Sequence, residues 1–208
     1  ECPSHMGHVV LPEPVYNQLY IAYIRLYLAC ICHTCSRIPL LPDNPGLRYI
    51  LKHSNKFTIA NDIKKLALNV KTCPFCGDQK PKIKKDAKDK NDKKVKKDKD
   101  TDVMTIYAEY IVKTGDADDD VKKNEIKDIR LLRPIDVYNI LNNMSNQTCN
   151  MLGVDPLIFK PRDLLITNWP ISAPAIRPSV KADYMSDGTS EDDLTKKSLE
   201  VVRNCDKI

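Results

Sequence analysis

The sequence predicts a mixed α/β protein of the α+β type, a helical body stapled by zinc and joined to a small antiparallel sheet. Three features carry that reading. Cysteines come as two hooks, Cys32 with Cys35 and Cys73 with Cys76; apolar residues recur at helical spacing between them; and two β-branched runs follow. Each Cys-x-x-Cys turn points two sulfurs to one side, and two turns supply four thiolates at tetrahedral geometry, which suits zinc better than other common metals. The intervening residues 36–72 exceed the loop of a miniature finger, so the ion would tie together distant parts of a domain. A disulfide pair, a redox Cys-x-x-Cys and four unrelated core cysteines are the competing readings, and the paired spacing favours zinc.

The chain opens on Glu-Cys-Pro-Ser-His-Met-Gly-His, with neither an initiator Met nor a signal peptide. Cys2 and His5 make a Cys-x-x-His half-site that needs two more ligands. No further Cys-x-x-Cys remains to supply them, so the missing hook is expected upstream and the chain is expected to be a piece. His8 is the alternative to His5. Residues 15–31 lack Gly and Pro and are apolar almost all round, which predicts a buried helix feeding the first hook. Its tyrosines, Tyr16, Tyr20, Tyr23 and Tyr27, read as packing residues rather than a base-stacking platform. Asp43-Asn44-Pro45 caps a short helix to about Lys52, and Ile59, Ile63, Leu66 and Val70 predict another running to the second hook. Cys30 and His33 flank the first hook as weaker ligand candidates.

Residues 80–100 hold eleven Lys and five Asp, a local charge of +6 against +5 for the whole chain. All the basic excess therefore sits in one tract with almost nothing apolar to bury, read as a solvated loop over 80–102 that can also meet phosphates. Residues 103–112 and 128–132 predict a pair of antiparallel strands. Asp116, Asp118 and Asp120 imitate a calcium loop, but Val121 stands where the turn glycine belongs and Lys127 where the closing glutamate belongs, so calcium is rejected. Pro134 starts a helix through Leu141, Ser145 caps another ending at Gly153, and residues 163–167 read as a strand. The proline-punctuated residues 169–178 predict an extended strut. A polar loop over 179–190 follows, then a helix capped at Ser190 with Leu194, Val201, Val202 and Cys205 on one face. Cys149 and Cys205 read as core residues.

With these residues on the page a resemblance emerges. Cys-Pro-Ser-His-Met-Gly-His-Val-Val-Leu-Pro-Glu-Pro-Val-Tyr is similar to the Cys-Pro-Gly-His-x-Gly-His run of the largest subunit of multisubunit DNA-directed RNA polymerases. Cys-x-Cys-x-x-Cys at 30–35, Cys-Gly-x-Gln at 76–79, Ile-Arg-Pro-Ser at 176–179 and Glu-Asp-Asp-Leu-Thr at 191–195 recur in family order. The resemblance covers nearly the whole chain. It implies a zinc-stabilised clamp head over residues 1–178, a lid-like loop over 179–190 and the start of the next helix over 191–208. Two zinc ions are implied, one held by Cys32, Cys35, Cys73 and Cys76 and one by Cys2 and His5 with ligands outside this chain. Magnesium would sit in the catalytic centre elsewhere in the subunit. Arg177, Lys181 and Tyr184 are the implied nucleic-acid contacts, with Tyr184 as a wedge between RNA and DNA. Partners would be the other polymerase subunits, especially the second-largest, with template DNA and nascent RNA. Ser4 in place of the family's Gly and the long Lys-rich tract are departures that fit a large DNA virus or another remote lineage. Transcription would then take place in a nucleus if the source is cellular, and in a virion or host cytoplasm if it is viral.

Composition agrees with a globular intracellular piece, 42% apolar and 29% charged over 208 residues. The most apolar stretch, residues 19–31, contains Arg25 and falls short of the roughly 20 apolar residues a bilayer demands, so no membrane partner is expected. No phosphate-cradling glycine loop, catalytic triad or acidic cluster for magnesium is present, so this segment would carry no catalytic residue although the assembly is a nucleotidyltransferase. The competing function is a stand-alone zinc module that binds nucleic acid or a protein partner.

Overall fold

The computed structural model describes residues 5–84, 105–114, 124–181 and 189–207. In chain order these form strand β1 (Gly7–Tyr16), a 3-10 turn (Gln18–Tyr20) and helices α1 (Ile21–Cys30), α2 (Pro45–His53) and α3 (Ile59–Ala67). Strands β2 (Lys82–Lys84), β3 (Ile106–Thr114) and β4 (Asn124–Leu132) come next, then helices α4 (Pro134–Asn142) and α5 (Asn146–Met151). A 3-10 turn (Pro161–Leu164), β5 (Leu165–Ile171), a 3-10 turn (Pro174–Ile176), β6 (Val180–Lys181), β7 (Thr189–Ser190) and α6 (Asp193–Cys205) complete the order. The expected α+β class with small antiparallel sheets is what is found.

Two compact units divide the chain, one made of Tyr16–Leu165 and the other of Glu1–Val15 with Ile166–Ile208. In the first, α1 packs on α3, α3 on α2, and β2 lies against α1. Ile24, Leu28 and Ile31 meet Ile63, Leu47, Leu141 and Leu152 in a core from which water is excluded. Each such side chain contributes about 1.5–3 kcal/mol through its burial. The sheet runs β2-β3-β4, antiparallel throughout, with Ile83 opposite Ala108 and Ile106 opposite Leu132. Ile106 and Ala108 turn one face of β3 into that core. On the other face Glu109 is buried, where it pairs with Lys84 and, at 3.7 Å, with Lys127.

Capping places the short helices. Asn44 Oδ1 accepts the amides of Gly46 (2.9 Å) and Leu47 (3.2 Å), with Pro45 in the first turn of α2 as expected. Ser145 Oγ accepts the Thr148 amide at 3.2 Å to start α5, whose end turns at Gly153 (φ 79°).

Several expected elements shift. The helix expected over 15–31 is confined to α1, because β1 runs through Tyr16 and Asn17 Oδ1 then accepts the Leu19 amide at 3.1 Å, capping a 3-10 turn instead. Strand β1 itself escaped notice because Pro12 and Pro14 argue against a central strand; in a two-stranded sheet with β5 they are tolerated at an edge. Of the four tyrosines, Tyr27 is buried and Tyr16 donates its hydroxyl to Leu132 O at 2.8 Å, while Tyr20 and Tyr23 stay 44% and 54% exposed. The strand expected at 163–167 begins at Leu165, since Asp163 belongs to a 3-10 turn.

In the second unit, the expected strut over 169–178 is part strand and part 3-10 turn at Pro174–Ile176. Ser190 is paired in β7 and leaves the capping of α6 to Asp192, whose Oδ1 accepts the Leu194 amide at 2.8 Å. That helix buries none of its residues: Leu194 is 52% exposed and Cys205 is only half-buried, so Cys205 is not the core residue expected, whereas Cys149 is fully buried.

Candidate metal centre

The two cysteine hooks are one backbone design used twice. In the first, the Cys32 amide donates to Arg37 O (2.9 Å) and the Ser36 amide to Cys32 O (2.9 Å); in the second, the Cys73 amide donates to Asp78 O (2.8 Å) and the Gly77 amide to Cys73 O (2.9 Å). The residue after the second cysteine takes left-handed backbone in both, Ser36 at φ 54° and Gly77 at φ 76°. Helix α1 delivers the first hook, since its last residue is Cys30. The second lies beyond α3 and is closed by an antiparallel bridge between Thr72 and Gln79 and by the Lys80 amide donating to Lys71 O at 2.9 Å.

These turns bring four sulfurs within 4.8 Å of one another. The close pairs run between hooks, Cys32 to Cys76 at 3.5 Å and Cys35 to Cys73 at 3.7 Å. A tetrahedral ion with metal–sulfur bonds of about 2.3 Å needs sulfur–sulfur edges of about 3.8 Å, so the donor set fits a metal ion. All four cysteines are free, and a disulfide would hold its sulfurs at about 2 Å. Cys32 and Cys73 are buried, Cys35 is half-buried and Cys76 is exposed. Four thiolates this close repel one another strongly unless a cation joins them.

Three neighbours brace the centre that the cysteine spacing did not reveal. Ser36, buried, donates its hydroxyl to Ile140 O at 2.8 Å and so ties the first hook to α4. The Arg37 guanidinium lies 5.6 Å from the centre of the Phe75 ring, joining a residue beside one hook to a residue inside the other. Lys80, counted above with the solvated tract, is only 9% exposed and donates Nζ to Ala67 O at 2.8 Å. The tract's first residues are likewise structured, Lys82–Lys84 forming β2. Charge counting missed this because the hook closure turns the chain back under α3 before the tract begins; residues 85–102 of the tract lie outside the described residues, as do Asp116, Asp118 and Asp120.

Cys30 and His33 stay apart from the quartet. Cys30 donates its thiol to Ala60 O at 3.1 Å, and burial pushes that thiol up to about 12, so it remains protonated. His33 donates Nε2–H to Leu28 O at 3.2 Å, while its Nδ1 is buried without a partner among the described residues. Burial pushes the ring down to about 4, which keeps it neutral. Of the second expected site, His5 is exposed just before β1 and Cys2 lies outside the described residues.

Of the expected nucleic-acid residues, Arg177 precedes β6 and Lys181 ends it; β6 and β7 pair antiparallel with Val180 opposite Ser190 and Lys181 opposite Thr189. Arg177 donates Nε to Ser172 O (2.9 Å) and a terminal nitrogen to Thr195 Oγ1 (3.2 Å), pinning the entry of β6 to α6. Lys181 is the last described residue of β6, and Tyr184 lies outside the described residues.

Fold and quartet together define a class, an α+β protein with two cysteine knuckles whose four sulfurs could hold a metal ion. The family model described as RNA polymerase Rpb1, domain 1, matches residues 1–208. The chain belongs to that family, the largest subunits of DNA-directed RNA polymerases. It is 26% identical over its whole length to DNA-directed RNA polymerase subunit 1 of Acanthamoeba polyphaga mimivirus. It is also 32% identical over 97% of its length to DNA-directed RNA polymerase III subunit rpc1 of Dictyostelium discoideum, and 28% identical over 98% to subunit Rpo1N of Methanocaldococcus jannaschii. It spans 13%, 14% and 13% of those three relatives respectively.

Proposed function

We propose that this chain is the clamp segment of an RNA polymerase largest subunit, helping to hold template DNA and nascent RNA during transcription, with zinc as its structural ion. The observation that carries the proposal is the four-sulfur quartet in a chain matched throughout by the family's first domain. Cys32, Cys35, Cys73 and Cys76 hold one zinc; Cys2 and His5, with ligands outside this chain, hold another. Zinc stiffens the clamp by fixing α1, α3 and α4 around one point, through the hooks and the Ser36 bond.

Residues 1–178 are the clamp head in this reading, 179–190 the lid-like loop and 191–208 the start of the next helix. The paired ends of the loop and the Arg177 bonds to Ser172 and Thr195 support it, because a lid needs a rigid base. Arg177, Lys181 and Tyr184 are the residues offered to nucleic acid, and the bonds of Arg177 also fix that base. The whole assembly is the nucleotidyltransferase, its magnesium held elsewhere in the subunit and the second-largest subunit its chief partner. The mimivirus relative supports a viral source, with transcription in a virion or host cytoplasm; a cellular source would place it in a nucleus.

The test is to assemble the polymerase with Cys73→Ser and follow the lifetime of stalled elongation complexes at rising salt. The expected result is loss of zinc and a shorter lifetime; zinc lost with lifetime unchanged overturns the clamp role. The native gene separates this reading from a stand-alone zinc module: an upstream Cys-x-x-Cys and a long downstream frame with an Asp-rich motif support the polymerase, and a stop soon after Ile208 supports the module.

A further inference from the structure

A groove of about 490 Å³ lies between α1, α3 and β2. Its apolar lining includes Ala22, Leu26 and Ala29, which recur at the spacing of one face of α1, and Leu68 at the end of α3. Ala22 is exposed and Leu68 is 50% exposed, so water reaches this apolar surface. The charged lining is Arg25, Lys64, Lys82 and Lys84, with no carboxylate among the lining residues. Lys84 is held by the buried Glu109, whereas no hydrogen bond or ion pair among the described residues engages Arg25, Lys64 or Lys82. Arg25 and Lys64 are half-buried, and partly desolvated cations without a counter-charge mark a surface that negative groups would complete.

We propose that this groove is a docking site for an acidic amphipathic helix of a protein partner. Charge complementarity sets the sign, and the apolar lining sets the kind of partner. A phosphate backbone would meet the cations but leave Ala22, Leu26 and Leu68 with nothing apolar to cover them, and no aromatic, amide or hydroxyl side chain lines the groove to stack on or bond a base. A helix with an apolar ridge flanked by Asp or Glu satisfies both. The face from Ala22 to Ala29 spans about 10 Å, two turns of such a helix, and its alanines let the partner lie close. An added strand fits less well: β2 is the outer strand of its sheet, but lysines on either side of Ile83 oppose edge pairing. The proposal needs neither zinc nor the clamp role.

The experiment uses assembled polymerase with the parent chain, with Ala22→Trp, which fills the groove, or with Arg25→Glu and Lys64→Glu together, which reverse its charge. A phage-displayed library of random helical peptides is selected on the parent and counter-selected on Ala22→Trp, or on the double variant if the tryptophan lowers the melting temperature. The expected result is a set of peptides with apolar residues at i, i+3 or i+4, and i+7 and Asp or Glu beside them. Made synthetically, these should bind the double variant at least roughly 10-fold more weakly than the parent, and exchanging their acids for lysine should restore binding to it. Peptides that fail to distinguish parent from variant, or that carry no acids, overturn the proposal. A DNA duplex is the second probe: if no peptide discriminates and the double variant lowers the slope of DNA affinity against salt by about two, the groove holds phosphates and the proposal is likewise overturned.

Discussion

Ser36 and Gly77 hold equivalent places in the two hooks, and both take left-handed backbone, at φ 54° and 76°. The glycine adopts it freely, while the serine is held there by its buried hydroxyl bond to Ile140 O. Ser36→Ala should therefore cost about 1–2 kcal/mol by leaving that carbonyl without its donor, with zinc retained. Ser36→Gly should recover part of the loss by relieving backbone strain. Thermal unfolding of the zinc-loaded chain with metal analysis checks both; a Ser36→Ala variant as stable as the parent would show that the bond contributes nothing.

Gly77 and Gly153 share the same backbone region and differ in their surroundings. A Cβ at Gly77 meets nothing within 4 Å, whereas one at Gly153 would sit 2.6 Å from Lys56 O and 2.7 Å from Ile59 Cγ2. Gly77→Ala should cost roughly 1–2 kcal/mol of backbone strain. Gly153→Ala should cost more, because backbone must also move, and the order of the two melting temperatures decides the point.

Zinc is expected to hold the Tyr16–Leu165 unit together. Cys73→Ser should lose the ion from the quartet and lower the melting temperature by roughly 6–12 °C, taking a loss of about 3 kcal/mol. Cys30→Ala should keep the metal, since that sulfur bonds Ala60 O. Equal metal content in parent and Cys73→Ser, measured by atomic emission, would remove zinc from the account.

Glu109 makes the fold sensitive to acid. Its hydrogen bond with Lys84, then burial in the opposite sense, leave its carboxyl below the usual range. The folded value lies below the unfolded one, so the contribution is present above about pH 4.5 and is lost as pH falls through the folded value. Glu109→Gln should lower stability at pH 7 by about 1 kcal/mol and flatten the decline below about pH 4.5. Urea midpoints across that range provide the measurement; an unchanged slope would show that the pair does not couple to folding.

The Lys-rich tract and the loop after β6 make separate predictions about nucleic acid. Deleting residues 88–99 should weaken the salt dependence of nucleic-acid binding by the assembled enzyme if the lysines meet phosphate, and an unchanged slope returns them to solvent. Tyr184→Ala should lengthen the RNA–DNA hybrid on a template lacking the non-template strand, since stacking on one base is worth roughly 1–3 kcal/mol. If that variant displaces RNA like the parent while deletion of residues 181–188 does not, the loop is a lid without Tyr184 as its wedge.

The sequence by itself pointed to the quartet, because each Cys-x-x-Cys turn is a local structure that sets its own two sulfurs to one side, whereas the meeting of the two turns is the work of the fold. It also determined α2, α4 and the pairing of β3 with β4, where Asn44, Pro134 and β-branched runs state the local preference in a few residues. Tertiary structure alone decided the rest. Residues 15–31 read as one helix because periodicity cannot see that Tyr16 is taken by a strand and Asn17 by a cap. Lys80 read as one more solvated lysine because composition counts charges without locating them, and only the closure of the second hook against α3 buries this one. Ser190 read as a cap because the pairing partner that claims it, Val180, is ten residues away. Local chemistry sets what each turn can do; which of two adequate conformations a residue adopts is settled by the distant groups that pack or pair with it.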